Sequence, residues 1–314
     1  MQETHNIKHS NGFDDGIDLV ELFHILIKSK WIIVSVTVFV SIVGVIYSLL
    51  LPNIYESKAL LQPVTTSSGI PRALQGFGSL ASLTGVNISN NDEDNTEKAI
   101  EKMSSLSFFE NNILTNISLP DLMALESWNH NTNTLVYDEN IYDISSNTWV
   151  RNYSYPKKQV PSAQESFEVF KAKHLNISKD TKSGFTTLSI KHQSPYVAQQ
   201  WAELVIDEVN AYYRQKDKIE SERAISYLNQ QILMTGLSEI KQVIAKLLQE
   251  ETKKLSLIEA NQAYIFDYID PPALMEQKSE PKRALISILS FILSGMLSSV
   301  LVLLRHFLFK REPS

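Results

Sequence analysis

Two uncharged apolar segments lie near the two ends of this chain, at residues 31–51 and 284–304. An α-helix rises about 1.5 Å per residue, so each segment would reach about 30 Å, the thickness of a bilayer's hydrocarbon core. Both segments therefore predict transmembrane helices. They leave an N-terminal segment at 1–30, one large domain at 52–283 and a tail at 305–314. We expect the two flanking segments to be too short to fold as domains.

Basic residues beside the apolar segments predict the orientation of the chain in the membrane. Lys28 and Lys30 precede the first segment, and Arg305, Lys310 and Arg311 follow the second. Because lysine and arginine concentrate in short cytoplasmic flanks, we expect both termini to be cytoplasmic and the large domain to lie on the other side. The first segment is longer than the apolar part of a signal peptide, so we expect no cleavage there.

Composition excludes several kinds of chemistry. The chain contains no cysteine, which excludes disulfides, thiolate metal sites and cysteine nucleophiles. Its formal net charge of -6 is mild and indicates no basic surface for nucleic acid, so we predict no nucleic-acid partner.

Short strand patterns predict a sheet in the large domain. Residues 53–63 (NIYESKALLQP) end in a proline, and residues 264–269 (YIFDYI) are rich in aromatic and β-branched side chains. We expect these two segments to pair and to form a base close to the membrane. Residues 172–177 and 185–192 predict a hairpin around a Ser-Gly turn.

Other parts of the domain carry weaker patterns. Residues 69–85 contain four glycines and precede a polar run at 87–96, which together predict a mobile loop. Residues 97–114 have apolar side chains at intervals of three and four, which predicts an amphipathic helix covering the sheet. Residues 127–161 show no sustained period, and we predict irregular structure there.

A helical pattern dominates residues 195–262, and a continuous helix of that length would extend far beyond a compact domain. Ser194 and Pro195 provide an N-cap and a first-turn proline, and Gly236 predicts a break. We therefore predict an α+β fold in which a long helical arm projects from a membrane-proximal base of sheet and helix.

Two patterns on this arm are candidate contact sites. A charged stretch is either a solvated helix face or a charged contact between subunits. Its members are Arg214, Lys216, Asp217, Lys218, Glu220, Glu222 and Arg223. A heptad-like seam needs a partner helix, which is either the preceding helix or a helix of a neighbouring subunit. Its members are Leu237, Ile240, Ile244 and Leu247, followed after an interruption at Glu251 by Leu255 and Ile258.

Small residues recur at intervals of four within the two apolar segments, a spacing that lets helices approach closely. We expect them to mediate contact between the two segments or with a membrane partner, and ordinary tolerance of serine is the alternative. They are Gly44, Ser48, Ser290, Ser294, Gly295, Ser298 and Ser299.

Motifs for catalysis, nucleotide binding or metal binding are missing from the sequence. The seven histidines are scattered without metal-ligand spacing, and we interpret them as surface residues. No phosphate-binding glycine loop and no G-x-S-x-G motif occurs. We therefore predict no cofactor, no metal site and no catalytic residue.

Several stretches resemble the Wzz-type polysaccharide chain-length determinants, also called polysaccharide co-polymerases, of the type without a fused kinase. They are GIDLVELFHILIKSKW before the first apolar segment, YESKALLQP after it, GFGSLASLTGVN in the glycine-rich loop, and IDPP with SEPKRALI before the second apolar segment. The proline-containing entry to the second segment is the most specific element of the resemblance. Residues 116–194 match no motif of the family.

The resemblance implies a non-enzymatic protein of the Gram-negative inner membrane, with a periplasmic domain and a ring of identical subunits. Such proteins act with an O-antigen or related polymerase and set how many repeat units a lipid-linked glycan receives. The implied partners are further copies of the chain, the membrane polymerase and the lipid bilayer, and the growing glycan chain is a further candidate. Some relatives carry a fused tyrosine kinase; from the 10 residues after Leu304 we expect none here, and that subclass would fit only with the kinase on a separate chain.

Two other classes of function remain open from the residues. One is a two-span periplasmic sensor or adaptor, which should have a cytoplasmic output module. The other is an enzyme of glycan assembly, which should have paired acidic residues or a nucleotide motif. The glycan is open as well, since capsule or enterobacterial common antigen would serve as well as lipopolysaccharide O-antigen.

Proline fixes its own backbone and restricts the preceding residue, so we expect the prolines before the second apolar segment to hold the chain extended and to direct the second transmembrane helix. Simple strand termination and helix entry are the alternative. We assign polymerase coupling and span orientation to Pro271, Pro272, Pro281, Lys282, Gly44, Ser48, Ser294, Gly295 and Ser298. The charged stretch and the first four seam residues are assigned to subunit contacts and to the choice of glycan length.

Overall fold

A computed structural model describes residues 19–64, 91–261 and 263–309 of the chain. The helices are α1 (Leu19–Lys28), α2 (Lys30–Leu50), α3 (Asn91–Met103), α4 (Leu106–Phe108), α5 (Leu119–Met123), α6 (Ala163–Val169), α7 (Pro195–Met234), α8 (Ser238–Ala260) and α9 (Arg283–Phe309). The strands are β1 (Tyr55–Pro63), β2 (Leu125–Asn129), β3 (Thr134–Tyr137), β4 (Tyr142–Asp143), β5 (Thr148–Trp149), β6 (Leu175–Lys179), β7 (Thr186–His192) and β8 (Phe266–Asp270). Two π-helical turns follow α4 and α6, at Phe109–Ile113 and Phe170–His174. The predicted α+β class is confirmed.

The chain forms two compact units. The helical unit combines residues 1–52 with 280–314, and the mixed unit comprises residues 53–279. In the helical unit, α2 and α9 are long and apolar enough to cross a membrane, with mean hydropathies of 2.5 and 2.3 over their most apolar stretches. α9 continues to Phe309, so the first part of the predicted tail at 305–314 is helical.

A four-stranded antiparallel sheet forms the centre of the mixed unit, in the order β6-β7-β1-β8. Alternate residues of β1, Ser57, Ala59 and Leu61, are buried, as expected for a strand with one face on the core. The predicted pairing of β1 with the segment at 264–269 is confirmed by β8, in which Tyr268 lies opposite Leu61.

The predicted hairpin is confirmed by β6 and β7, but its first strand starts later than predicted. Residues 172–174 belong to the π-helical turn that precedes β6. This turn buries Phe170 against Phe109, with ring centroids 5.1 Å apart. Residues 172–174 are part of this turn, so the strand begins only at Leu175.

The first half of α7 covers β1 and β7. Its buried face consists of Ala198, Trp201, Ala202, Val205, Ile206 and Val209. Asn210 then ties the helix to β8, because its Oδ1 accepts hydrogen bonds from the N–H groups of Ile265 and Phe266, both at 2.9 Å. Its Nδ2 donates to the Phe266 carbonyl at 2.9 Å, so this buried amide is satisfied on both sides.

The helix predicted at 97–114 is interrupted. α3 ends at Met103, and the Ser105 hydroxyl accepts a hydrogen bond from the Phe108 N–H at 3.3 Å, which starts α4. Phe108 and Phe109 are adjacent in sequence and both are fully buried. Neighbouring residues point about 100° apart on one helix, so the break and the π-helical turn allow both rings to reach the core.

The two loop predictions have different outcomes. Residues 69–85 lie outside the described part of the chain. In the polar run at 87–96, residues 91–96 form the start of α3, so the prediction of a loop is wrong for this part. The remaining residues, 87–90, are also outside the described ranges.

The region at 127–161, predicted to be irregular, contains the β2–β3 hairpin and the short β4–β5 pair. Trp128 in β2 packs edge-on against Tyr55, with ring centroids 5.6 Å apart. Arg151 organises the following loop, because its guanidinium binds both carboxylate oxygens of Glu165, at 2.6 and 2.9 Å. It also donates to the carbonyls of Lys158 and Gln159, at 2.6 and 2.9 Å.

Candidate functional site

The small residues of α2 and α9 face each other in an antiparallel pair. Thr37 Oγ1 lies 3.1 Å from Ser298 Oγ, and one turn along, Ser41 Oγ lies 3.4 Å from Ser294 Oγ. Ser48, Ser294 and Ser298 are buried. Close packing and hydroxyl hydrogen bonds are what hold helices together in hydrocarbon. The sequence analysis expects the small residues to mediate contact between the two apolar segments or with a membrane partner. The structure contains the contact between the two segments.

Gly44 and Gly295, which carry the same predicted role, differ in their surroundings. A Cβ atom at Gly44 would lie 2.5 Å from Ser290 Oγ, far inside van der Waals contact. A Cβ atom at Gly295 would meet Thr37 at 3.9 Å, an ordinary contact. Packing therefore requires glycine at position 44 and tolerates a methyl group at position 295.

Arg283 caps the end of α2. Its Nε donates to the Ser48 carbonyl at 3.2 Å, and its Nη2 donates to the Leu51 carbonyl at 3.4 Å. The last carbonyls of a helix lack partners and carry partial negative charge, so a guanidinium stabilises them. Lys282, which the sequence analysis assigns to polymerase coupling and span orientation, is exposed, and that assignment stays a prediction.

Pro271 and Pro272 end β8, and the residues up to 279 form no helix or strand, as expected for a proline-bounded extended segment. Pro272 is buried, and its carbonyl accepts a hydrogen bond from Gln199 Nε2 of α7 at 3.3 Å. The Ala273 carbonyl accepts one from Ser57 Oγ of β1 at 2.9 Å. These bonds fix the segment on the mixed unit.

The other end of this segment is held by the start of β1. The Ser279 N–H donates to the Ile54 carbonyl at 2.8 Å, and its hydroxyl donates to Glu56 Oε2 at 3.0 Å. Burial alone would raise the pKa of Glu56, but hydrogen bonds from Ser189 and Ser279 and the nearby Lys58 ammonium lower it. The carboxylate is thus kept charged as an acceptor. The effect of Pro281 on the direction of α9 stays a prediction.

α7 and α8 form the helical arm. With 40 residues, α7 is about 60 Å long. Its buried residues end at Tyr213, apart from Ser221, so its second half leaves the sheet. α8 runs back along this half, as the 2.8 Å ion pair between Lys218 Nζ and Glu259 Oε1 shows. The predicted break at Gly236 is confirmed by the gap between the two helices.

The predicted seam on α8 is only partly correct. The less exposed residues of α8 are Ile244, Leu248, Glu251, Leu255 and Ile258, at alternating intervals of four and three. Glu251 therefore lies on the stripe that faces α7 and does not interrupt it. Leu237, Ile240 and Leu247 are 61%, 45% and 43% exposed, so three of the first four predicted seam residues lie outside the buried stripe of α8.

Six apolar side chains near the end of α7 and in the first half of α8 are exposed. We call this set the tip patch, and it consists of Leu233, Met234, Leu237, Ile240, Val243 and Leu247. Leu233 and Met234 are 85% and 78% exposed. Contiguous exposed apolar surface on a water-soluble domain usually marks an interaction site.

The charged stretch of α7 has an inner and an outer side. On the inner side, besides the Lys218 ion pair, Asp217 Oδ2 accepts a hydrogen bond from the Tyr264 hydroxyl at 2.6 Å. Burial and this bond raise the pKa of Tyr264. On the outer side, Glu220, Glu222 and Arg223 are exposed, which fits the interpretation as a solvated face. A charged contact between subunits stays a prediction.

The interpretation of the histidines as surface residues is wrong for His174 and His192. The ring centroids of the two histidines lie 5.7 Å apart. The ring centroid of Trp201 lies 5.4 Å from that of His174 and 5.0 Å from that of His192. His192 is almost fully buried. The burial of His192 could have been predicted from the sequence, because His192 continues the alternation of Leu188 and Ile190 on the buried face of β7.

The buried His192 and the partly buried His174 are both held as neutral rings. His192 Nδ1 accepts a hydrogen bond from the Ser194 N–H at 3.0 Å, so the proton is on Nε2, which lies 3.3 Å from the Asp121 carbonyl. His174 Nδ1 donates to the Lys191 carbonyl at 2.7 Å. The pKa of each group is lowered to about 4, chiefly by burial and, for His174, also by the neighbouring His192. Ser194 is the N-cap of α7, so the pair lies at the start of the arm helix.

Within residues 19–64, 91–261 and 263–309, no group of three or more histidine, aspartate or glutamate side chains is arranged to hold a metal ion. The described part of the chain thus offers packing surfaces and one buried histidine pair as its distinctive features.

Comparison with known proteins relates these features to a family. Residues 15–113 match the family model described as Wzz, chain length determinant protein. The chain is similar to a solved full-length bacterial polysaccharide co-polymerase, with 17% identity, a TM-score of 0.41 and coverage of 95% of this chain and 100% of that one. It is also similar to a fragment of WzzB, a polysaccharide co-polymerase from Salmonella Typhimurium, with 14% identity, a TM-score of 0.32 and coverage of 73% and 100%. No curated protein sequence matches the chain. The family match confirms the resemblance to the Wzz-type determinants.

Proposed function

We propose that this chain, whose residues 15–113 match the Wzz chain length determinants, acts as a polysaccharide co-polymerase that sets the chain length of a lipid-linked surface polysaccharide. The family match is the observation that carries this proposal. The matched residues include α2 of the helical unit and β1 and α3 of the mixed unit. Lipopolysaccharide O-antigen is the glycan that we propose first.

The proposed location is the bacterial inner membrane, with two spans, cytoplasmic termini and a periplasmic mixed unit. Only 11% and 17% of the residues in the apolar stretches of α2 and α9 are buried, whereas a core helix of a soluble protein would be mostly buried. Helices that expose isoleucine, leucine and phenylalanine along their length need lipid as their surroundings. The basic residues at the terminal ends of both helices support the orientation.

The proposed assembly is a ring of identical chains joined through the arms. The tip patch supports it, because its apolar side chains are exposed in the single chain and a second arm could bury them. In this proposal the chain is a scaffold that catalyses no reaction itself. The number of subunits is left to experiment.

Coupling to the polymerase is proposed to use the lipid-facing sides of α2 and α9. The small faces that contain Ser48, Ser294 and Ser298 are buried between the two helices. These residues would therefore act by holding the helix pair together and not by touching the polymerase. Pro271, Pro272 and Pro281 would set the backbone path into α9.

The test is a gel ladder of the host's lipopolysaccharide with and without the chain, at a matched level of polymerase. We expect loss of the modal band without the chain and its return with the wild-type chain. Complementation with Pro281→Ala should shift or broaden the distribution of lengths. Pro156→Ala, in an exposed loop of the mixed unit, is the matched control and should restore the normal ladder.

An unchanged lipopolysaccharide ladder would contradict the O-antigen assignment, and the same comparison on capsule and enterobacterial common antigen would then follow. If no surface glycan changes its length distribution, length control is wrong and a two-span sensor or adaptor becomes the better explanation. Expression of each variant in the membrane fraction is the control for all lanes.

A further inference from the structure

A groove of about 720 Å³ lies in the helical unit between α1, α2 and α9. Its walls are mainly apolar, formed by Ile25, Ile32, Val36, Leu301 and Val302. Its polar lining includes Ser29, Arg305 and His306. The groove thus combines a hydrocarbon-like channel with a cationic group.

The apolar and the cationic lining residues of the groove lie at different levels along α9. Ser298 and Arg305 both line the groove, and seven residues of helix place them about 10 Å apart along the axis. Leu301 and Val302 lie between them. In a membrane-spanning α9, Arg305 stands at the terminal end, at the level of the headgroups, and the apolar walls extend from there into the hydrocarbon.

α1 closes one side of this groove. Ile25 is buried against the unit, whereas Phe23 and Ile27 on the same helix are exposed. Exposed apolar residues on a short helix beside a membrane span are typical of a helix that lies in the membrane interface. At the junction of α1 and α2, the Ser29 side chain makes no capping hydrogen bond. Its hydroxyl can therefore donate to a headgroup.

We propose that this groove binds an anionic phospholipid, with the lipid phosphate at Arg305 and Ser29 and an acyl chain along the apolar walls. Guanidinium and phosphate match in charge and in hydrogen-bond geometry, and basic pockets between membrane helices are known to select acidic headgroups. A zwitterionic lipid would fill the apolar part equally well but would bring no net negative charge to the arginine. The inference rests on the proposed membrane location of α2 and α9.

The test uses the full chain in mild detergent and native mass spectrometry. Phosphatidylglycerol and phosphatidylcholine with the same acyl chains are titrated separately, and inorganic phosphate is added in a third arm. We expect retention of phosphatidylglycerol at concentrations where phosphatidylcholine is lost. Arg305→Ala should weaken that retention about tenfold or more, the effect of one charge-assisted hydrogen bond. Lys30→Ala removes an exposed positive charge that does not line the groove, and should leave retention nearly unchanged.

A second pair of variants tests the channel without changing charge. Val36→Trp fills the groove and should lower retention of phosphatidylglycerol, whereas Ile42→Trp, on an exposed face of α2 outside the groove, should not. Equal retention of the two lipids, equal effects of Arg305→Ala and Lys30→Ala, or full competition by inorganic phosphate would each overturn the proposal.

Alkaline extraction of cell membranes tests the membrane location of α2 and α9 independently of lipid binding in the groove. If the chain leaves the membrane fraction on extraction, the membrane location is wrong and the proposed function fails with it. If the chain stays in the membrane but shows no lipid preference, only the groove assignment fails.

Discussion

Gly44 determines how closely α2 and α9 approach each other. The side chain that it faces, Ser290, leaves no room for a methyl group, whereas the surroundings of Gly295 do. Because the two helices have no water to expel from between them in a membrane, this close contact is a main source of their association. Adding a Cβ atom at position 44 should therefore lower the stability of the helical unit.

Gly44→Ala should destabilise the helix pair by about 1–3 kcal/mol, the usual cost of overpacking a close contact. Gly295→Ala is the matched control and should change stability by less than about 0.5 kcal/mol. Unfolding of the full chain in detergent, followed by tryptophan fluorescence during titration with SDS, measures both. Equal effects of the two substitutions would contradict the assigned packing.

The buried histidine pair predicts a pH dependence of stability. The pKa of His174 and of His192 is lowered to about 4 in the folded chain, and an unfolded histidine has a pKa near about 6.5. Between these values the unfolded state binds more protons, so stability is complete above pH ~6.5 and falls as the pH drops toward ~4. The maximal slope is about 1.4 kcal/mol per pH unit for each histidine.

Thermal unfolding of the full chain between pH 7.5 and 4.5, measured by tryptophan fluorescence, checks this expectation. The midpoint should decrease with acidification, and His192→Gln should reduce the slope. His130→Gln removes an exposed histidine and should leave the slope as in the wild type. A wild-type midpoint that is flat from pH 7 to 5 would refute the assignment of neutral buried rings.

At the scale of elements, the arm is a helical hairpin that buries only part of its apolar surface. The second half of α7 and the stripe of α8 that includes Ile244 and Ile258 bury each other. The tip patch lies outside this pairing. An isolated pair of helices cannot enclose apolar residues on its outer side, so the remaining surface needs another chain or another partner.

Ile240→Glu with Leu247→Glu should disrupt assembly without unfolding the arm, because both side chains are exposed in the single chain. Gln242→Glu with Gln249→Glu adds the same charge on the opposite side of α8 and is the matched control. Light scattering of the detergent-solubilised chain should show a smaller particle for the first variant alone, and its glycan ladder should lose the modal band. An unchanged particle size would contradict the proposed arm contacts.

At the scale of the whole molecule, the two units differ in how much of their apolar surface is buried. The helical unit exposes most of its apolar side chains, whereas the mixed unit has a buried core between the sheet, α7 and the π-helical turns and exposes apolar residues at the tip patch. Lipid suits the exposed apolar side chains of α2 and α9, whereas the mixed unit has its own buried core.

Much of this organisation can be read from local sequence patterns. The apolar segments predicted α2 and α9, short runs bounded by a proline or a Ser-Gly turn predicted β1 and β7, and Ser194 with Pro195 predicted the start of α7. Each of these patterns depends on neighbours within one turn or one strand, so no knowledge of the rest of the fold is needed. The Wzz-type resemblance likewise lies in contiguous motifs near both ends.

What the sequence by itself determined is therefore the two apolar helices, the strands of the four-stranded sheet, the helical arm and the resemblance to the Wzz-type determinants. The tertiary structure alone decided which surfaces meet. Arg283 became a cap because its side chain reaches the last carbonyls of α2, His192 became neutral because α7 and the π-helical turn cover it, and Glu251 joined the seam because α7 packs along that side of α8. Burial and hydrogen bonding depend on residues far apart in the chain, and a local pattern holds no information about them.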